Sequence, residues 1–306
     1  MAGREDQAGR AVGVEASVGE FTAVLLEGDS VGESYSQPLD ETSPTLPQLV
    51  EFVDGLRERF GAFENIGIAM PGLVHRETRR VAYSAHAPEH SDIDMAEQIW
   101  AETGVHPVIE NDANAAAYGE YKLGAGQGSR NLFYATLGKG IGGAFIFDGQ
   151  IWRGSSGFAG EIGYIAINSD GMRLEDVAST DNIVRRTRSR FNRDSTSSLN
   201  RFNEQAIHIA DIVTAAENGD DFAQLMLERT GSYVGTAVSS VINLLNVERI
   251  VLGGVIMHAG HLVLDAVIRR AKELSFAPSF QNVEIVAGTL GEHAAAIGAA
   301  LIAREG

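Results

Sequence analysis

The sequence predicts an α/β protein with two lobes. Three short apolar stretches open the chain as strands, and helices and strands alternate after them. The same order, three strands and then alternating helices and strands, begins again near residue 132. We therefore expect two related lobes that face a central cleft, with ligands at strand ends and glycine turns.

The individual elements follow from apolar periodicity, proline positions and glycine turns. Strands are predicted over 11–16, 21–26, 31–36, 66–70, 108–110, 132–137, 144–147, 150–153, 249–252 and 283–287. Helices are predicted over 46–60, 92–103, 113–122, 173–190, 205–218, 222–246, 260–274 and 292–303. We place a smaller N-terminal lobe at 1–120, completed by a C-terminal helix over 291–306, and a larger lobe at 121–290.

The net charge of −17, from 24 basic and 41 acidic side chains, disfavours direct nucleic-acid partners because such a surface repels phosphates. One stretch is nevertheless basic and lies on a predicted helix and its exit. Its members are Arg185, Arg186, Arg188, Arg190 and Arg193. The stretch is either a solvated helix face or a contact for an anion or a partner.

The composition gives no support to metal or membrane chemistry. The chain has no cysteine, and its eight histidines show no metal-ligating spacing, so no metal site and no zinc are expected. The first ten residues are polar, and the longest near-apolar run, 294–303, is shorter than the ~20 residues of a membrane span. A cytoplasmic location without membrane contact is expected.

A candidate catalytic acid follows a predicted strand in the segment 109–120, IENDANAAAYGE. Asp112 falls at the start of the next helix, where its side chain could simply be the N-cap. The same carboxylate could instead accept a hydroxyl proton at a cleft. Both alternatives stay open on the residues alone.

Two glycine-rich segments come next. The first, 136–143 (TLGKGIGG), lies between two predicted strands, where backbone N–H groups can approach an anion. A plain glycine hairpin is the alternative for this segment. The second, 154–164 (GSSGFAGEIGY), embeds Glu161 among glycines, which is an unusual setting for a merely structural acid.

These segments resemble the ROK family, which groups bacterial sugar kinases with sugar-responsive repressors. The resemblance rests on an ordered set of pieces that together cover residues 11–303. The pieces are 66–72 (IGIAMPG), 110–117 (ENDANAAA), 136–143, 157–163, 174–175 with 178–179, 251–255 (VLGGV) and 288–303.

The resemblance implies an actin-like, ribonuclease-H-like fold of the sugar-kinase type, a small-molecule sugar as ligand, and a homodimer. It implies that Asp112 is the base that takes the proton of a sugar hydroxyl. The implied sugar-binding residues are Gly72, His86, Asn111, Asp112, Glu161, Tyr164 and Glu175. The implied nucleotide-binding residues are Gly138, Lys139, Gly140 and Gly142 in the second phosphate loop and Gly253 and Gly254 near adenosine. ATP and Mg²⁺ would be the cofactors.

The turn between the first two strands departs from the family pattern. The family's kinases have Asp-x-Gly-Gly-Thr there, whereas this chain has Glu15-Ala16-Ser17-Val18-Gly19. Side chains replace both glycines, and the β-branched Val18 would obstruct a phosphate. Glu15 could still hold magnesium through water. The first phosphate loop is therefore predicted to be disabled.

Two further departures affect the sugar site. Tyr164 stands where the family usually has a zinc-binding histidine, so the chain resembles members without zinc. Tyr164 could donate its hydroxyl to a sugar or could belong to the core. His86, in SAHAPEHSD over 84–92, replaces an asparagine that helps family glucokinases to recognise the sugar. Either the sugar preference has changed, or His86 is an ordinary surface residue.

Two functions are compatible with these residues. The first is a sugar-binding sensor or regulator with weak or absent catalysis. It would act through a protein partner or a ligand, because a first strand near Ala11 leaves no room for a helix-turn-helix arm. The alternative is an ATP-dependent hexose or amino-sugar kinase with Asp112 as base. We favour the first because phosphoryl transfer depends on firmly held phosphates.

Overall fold

A computed structural model describes residues 9–17, 19–40, 42–75, 77–78, 80–83 and 93–306. The strands are β1 (Arg10–Ala16), β2 (Glu20–Glu27), β3 (Ser30–Pro38), β4 (Asn65–Met70), β5 (Leu73–Val74), β6 (Val81–Tyr83), β7 (Val108–Asn111), β8 (Asn131–Leu137), β9 (Ile141–Phe147), β10 (Gln150–Trp152), β11 (Arg249–Gly253) and β12 (Glu284–Ala287). The helices are α1 (Thr45–Phe60), α2 (Met95–Thr103), α3 (Asp112–Leu123), α4 (Glu175–Ala178), α5 (Thr180–Arg188), α6 (Ile209–Glu217), α7 (Asp221–Leu245), α8 (His261–Leu274), α9 (Ala277–Phe280) and α10 (Ala294–Glu305). Within these described ranges, no helix has the length and apolar composition of a membrane span.

The chain divides into two compact units. The first consists of Met1–Gly128, Ala144–Ala159 and Leu290–Gly306, and the second of Ser129–Gly143 and Gly160–Thr289. The lobe boundaries drawn from the sequence, at 120 and 290, assign 121–128 and 144–159 differently. The division instead falls inside β9, after Gly143.

The first unit is built on a five-stranded sheet of order β3-β2-β1-β4-β7. β2 runs antiparallel to β1 and β3, whereas β4 runs parallel to β1 and β7. Helix α1 buries its apolar face in the core of this unit, where Phe52 packs on Phe21 with ring centroids 5.4 Å apart. The parallel strands bring the carboxyl ends of β1, β4 and β7 to one edge of the sheet.

Helix α10 completes the first unit by very close packing. Almost every side chain on it is alanine or another small or apolar residue, and Ala294–Ala303 is buried throughout. A Cβ on Gly13 of β1 would overlap the carbonyl oxygen of Ala296, and a Cβ on Gly298 would overlap that of Ala115 in α3. Glycine at these two places is what allows the helix to lie directly on the sheet and on α3.

A second five-stranded sheet has the order β10-β9-β8-β11-β12. β8, β11 and β12 are parallel, and β9 and β10 form an antiparallel hairpin. Both sheets are formed in the same way. Three consecutive strands come first, and two further strands are reached through helical crossovers. The repeated pattern predicted from the sequence is therefore confirmed, and with it the α/β class.

Two helix predictions need correction. The stretch 173–190 is divided into α4 and α5, because Ser179 is extended and the N–H of Thr180 bonds instead to the oxygen of Gly138 at 2.9 Å. The helix predicted from 205 begins at Ile209, where Asp211 accepts a hydrogen bond from the N–H of His208. Both differences arise from hydrogen bonds that apolar periodicity does not report.

Candidate functional site

The end of β7 carries the acid singled out in the sequence. Asn111, not Asp112, caps helix α3: its Oδ1 accepts the N–H of Asn114 at 3.0 Å. Asp112 is the first residue of the helix. The N-cap alternative for Asp112 is therefore wrong, because its neighbour fills that position.

Asp112 is held in one orientation by its surroundings. Its Oδ1 accepts the side-chain N–H of Asn111 at 2.9 Å and the backbone N–H of Ala113 at 2.8 Å. The amide of Asn111 also donates to the carbonyl oxygen of Gly72 at 2.8 Å. The structure thus brings together Gly72, Asn111 and Asp112, and both amide hydrogens of Asn111 are used inside the protein.

An ion pair between a buried carboxylate and a partly exposed arginine lies directly behind this group. Glu110 is 1% exposed, and its Oε2 accepts both Nε (3.0 Å) and Nη2 (2.6 Å) of Arg153. Its Oε1 accepts the backbone N–H of Asn111 and the side-chain amide of Asn114. Sequence reasoning missed this pair. The available signal was a charged residue at the end of an otherwise buried strand, which requires a partner.

Glu15 approaches Asp112 from the end of β1. Burial, together with repulsion from the carboxylates of Asp112, Glu20 and Glu292, raises the pKa of the Glu15 carboxyl to about 8. Glu15 therefore keeps its proton at neutral pH. A divalent cation would have to displace this proton before the Glu15 carboxylate could become its ligand.

The β1–β2 turn folds back on the protein. The hydroxyl of Ser17 donates to the backbone oxygen of Glu20 at 3.0 Å. Gly19 has φ of 109°, and its oxygen accepts the N–H of Leu39 at 2.8 Å. Val18, on which the prediction of a disabled loop also depends, lies outside the described residues.

In the second unit, the glycine segment forms a tight turn between β8 and β9. The N–H of Gly138 bonds to the oxygen of Gly140 at 3.1 Å, and the N–H of Ile141 bonds to Oε2 of Glu175 at 2.8 Å. Within the described part of the chain, the N–H groups of Lys139 and Gly140 donate to no other group. The turn therefore offers two backbone donors and one exposed lysine, a set of donors that suits a phosphate.

The end of β11 lies against this turn. β11 pairs with β8 so that Gly253 is opposite Thr136. Gly254 has φ of 89°, and a Cβ there would lie 2.5 Å from the oxygen of Leu137. The structure therefore places the predicted adenosine turn beside the start of the predicted phosphate turn.

Two of the remaining predicted sugar ligands, Glu161 and Tyr164, lie in the second unit. Glu161 is exposed and precedes a 3₁₀ turn over Ile162–Tyr164. Tyr164 is 53% exposed, with the guanidinium carbon of Arg173 4.6 Å from the centre of its ring, so it is not a core residue. His86 lies outside the described residues.

Two other observations bear on the candidate site. Among the described residues, no group of three or more His, Cys, Asp or Glu side chains is arranged to hold a metal ion. A cavity of about 630 Å³ in the first unit is lined in part by Tyr118, Arg153 and Glu305. None of the predicted site residues lines it, so this cavity is not the candidate site.

The two sheets have the same strand order. The first carries an oriented aspartate at a strand end, and the second carries a glycine turn with unengaged N–H donors. This arrangement is an actin-like fold of the sugar-kinase type. The chain belongs to the ROK family, whose profile matches residues 11–306. The family and the fold class expected from the sequence are thereby confirmed.

Individual relatives include both kinases and regulators. A ROK family glucokinase from Streptomyces griseus, solved with glucose and AMPPNP, superposes with a TM-score of 0.86 at 26% identity, over 97% of this chain and 100% of that one. A ROK transcriptional regulator homologous to Mlc of Escherichia coli superposes with a TM-score of 0.87 at 26% identity, over 98% of this chain and 78% of that one. The glucokinase of Thermotoga maritima is 32% identical over 78% of this chain and 79% of its own length.

Proposed function

We propose that this protein binds a hexose with Asp112 facing the reacting hydroxyl, and that it transfers phosphate weakly or not at all. The observation that carries the proposal is the orientation of Asp112. Asn111 holds the N-cap position of α3, and the side chain of Asn111 and the backbone N–H of Ala113 fix Oδ1 of Asp112. A carboxylate held in this way is positioned to accept a hydroxyl proton.

The weak-transfer part of the proposal is supported by the β1–β2 turn. Phosphoryl transfer is chiefly a matter of positioning the phosphates and neutralising their charge. Glu15 is uncharged at neutral pH, and the hydroxyl of Ser17 is used within its own turn. Neither group then contributes charge or a hydroxyl toward a magnesium-bound phosphate.

A sugar kinase is the second candidate, and one observation favours it. The turn at Gly138–Gly143 keeps two unengaged N–H donors, and Gly254 lies against Leu137, the residue just before the turn. ATP, if bound, would be held there, with its phosphates on these donors. The glucokinase of S. griseus carries AMPPNP, and glucokinases are among the relatives at 32% identity.

We also propose roles for two acidic residues, an identity for the sugar and an oligomeric state. Glu161 and Glu175 are proposed to accept sugar hydroxyls, although Glu175 already accepts the N–H of Ile141. The sugar itself is proposed to be glucose or a related hexose, in line with the glucose bound by the S. griseus relative. A homodimer is also proposed, and light scattering in solution would test it.

One experiment separates the two functions. Calorimetric titration with glucose, xylose and N-acetylglucosamine measures binding, and a coupled ADP-release assay with ATP and Mg²⁺ measures turnover on the same sugars. Asp112→Asn is compared with Asp54→Asn, an exposed change on α1. Binding of one sugar without turnover supports the sensor. Turnover that Asp112→Asn abolishes and Asp54→Asn preserves supports the kinase. If none of the sugars binds, the assignment of Asp112 is wrong.

A further inference from the structure

The C-terminal part of helix α5 contains a buried arginine. Arg186 is 8% exposed, in contrast to the solvated face that the basic stretch could have formed. Its Nη2 donates to the hydroxyl of Thr230 at 2.7 Å, and its guanidinium carbon lies 5.4 Å from the ring centre of Tyr233. Its Nε and Nη1 are buried and have no hydrogen-bond partner among the described residues.

The charged groups around Arg186 are themselves positive. They are Arg185, Arg190 and Arg229, and all three are exposed. Burial is the main cause that lowers the pKa of Arg186, and together with these three cations it brings that pKa to about 10. In the described part of the chain, no carboxylate forms a salt bridge with Arg186, Arg190 or Arg229.

The usual structural reasons for such a cluster explain only part of it. Basic side chains in the last turn of a helix are stabilised by the helix dipole, which accounts for the exposed Arg185. It does not account for Arg186, since a buried cation without an anionic partner is costly. A protein of net charge −17 also has many carboxylates that could have been placed there.

We propose that Arg186, Arg190 and Arg229 form a binding site for a phosphate-type oxyanion. The anion would lie over the exposed guanidinium groups of Arg190 and Arg229, and the field of the buried Arg186 would reach it with little screening by water. A phosphate dianion suits three cations better than a carboxylate does, because it offers more oxygens to the paired N–H groups of arginine. The site lies on α5, on the residues that directly follow it and on α7, all in the second unit, so it does not depend on the proposed sugar function.

The test is calorimetric titration with inorganic phosphate and with pyrophosphate at constant ionic strength. We expect one site per chain, with affinity reduced at least tenfold in the double variant Arg190→Gln/Arg229→Gln. Arg269→Gln, an exposed arginine on α8 of the same unit, should change affinity less than twofold. A phosphate bound at the Gly138–Gly143 turn would survive the double variant, so this site and the proposed nucleotide site can fail separately.

A second variant keeps the proposal falsifiable. Arg186→Met removes the buried charge, so the melting temperature without ligand should be equal to or above that of the parent, and its rise with phosphate should be lost. A lower melting temperature with the phosphate response intact would make Arg186 a packing residue and overturn the proposal. Unchanged phosphate affinity in the double variant would also overturn it. A third result would overturn it as well: no phosphate binding, together with a dimer in the parent that the double variant dissociates. The arginines would then contact a second copy of the chain.

Discussion

The guanidinium of Arg153 lies 2.6 Å from the buried carboxylate of Glu110, and one oxygen of that carboxylate accepts two of its N–H groups. The other oxygen holds the backbone of Asn111 and the side chain of Asn114. The strand end that presents Asp112 is therefore fixed from behind by a residue of the β10 hairpin. This contact makes Arg153 a positioning residue for the candidate site.

Replacing Arg153 by Met should be strongly destabilising. The change leaves the Glu110 carboxylate buried without its cation, which costs about 3–5 kcal/mol. The matched control is Arg80→Met, which breaks an exposed pair with Asp94 and should cost about 0–1 kcal/mol. Urea unfolding measures both. The double variant Glu110→Gln/Arg153→Met should recover more than half of the loss, and equal costs for Arg153→Met and Arg80→Met would contradict the assignment.

Stability should fall as pH rises, because of Glu15. Folded Glu15 keeps its proton to about pH 8, whereas the ordinary pKa is 4.5. The folded chain binds this proton more tightly than the unfolded chain, so the free energy of unfolding decreases between these two pH values. At 1.36 kcal/mol per pKa unit the loss is roughly 3 kcal/mol at pH 7.

Glu15→Gln stays neutral, so it should remove this dependence. The difference in the free energy of unfolding between Glu15→Gln and the parent, in favour of the variant, should be smallest at pH 4.5 and largest at pH 8. Urea unfolding across this range measures it, and Glu51→Gln, an exposed change on α1, is the control. Parallel pH profiles for the parent and Glu15→Gln would show that Glu15 is ionised in the folded protein.

The fold and the chain positions of the candidate site could be predicted because they depend on local patterns. Alternating apolar strands and glycine turns predicted the succession of strands and helices along each half of the chain, and Asp112 lies at the start of a helix as predicted. The choice of cap at α3 could not be predicted, since asparagine and aspartate are about equally good caps. Neither could the Glu110–Arg153 pair or the burial of Arg186, because both depend on contacts between distant segments that one sequence does not reveal.

The Glu175 carboxylate could bind the sugar, support the glycine turn, or do both, and one substitution can distinguish these roles. Glu175→Ala leaves the N–H of Ile141 without its acceptor and should loosen the glycine turn. If the carboxylate mainly supports the turn, affinity for AMPPNP should fall more than affinity for glucose. Calorimetry with each ligand measures this, with Asp181→Asn, an exposed change at the start of α5, as control. A selective loss of glucose affinity would instead identify Glu175 as a sugar ligand.

Two glycines should respond to alanine in opposite directions. Gly254→Ala requires φ near 89° and brings a Cβ within 2.5 Å of the Leu137 oxygen, so we expect a loss of about 1–3 kcal/mol in stability and weaker AMPPNP binding. Gly55→Ala, in the middle of α1 with nothing near the new Cβ, should gain about 0.5–1 kcal/mol. Thermal and urea unfolding check both signs. A stabilising Gly254→Ala would mean that the turn is not constrained as described.

The dense packing of α10 against β1, β4 and α3 determines the order in which the two units can fold during synthesis. The first unit needs α10 to cover the glycine-lined surface of its sheet, yet residues 129–289 must leave the ribosome before that helix exists. All segments of the second unit are synthesised before α10. The first unit, whose strands are synthesised first, is therefore the last to complete its fold. During that interval the exposed backbone of β1 and β4 is the part of the nascent chain most in need of protection from premature association.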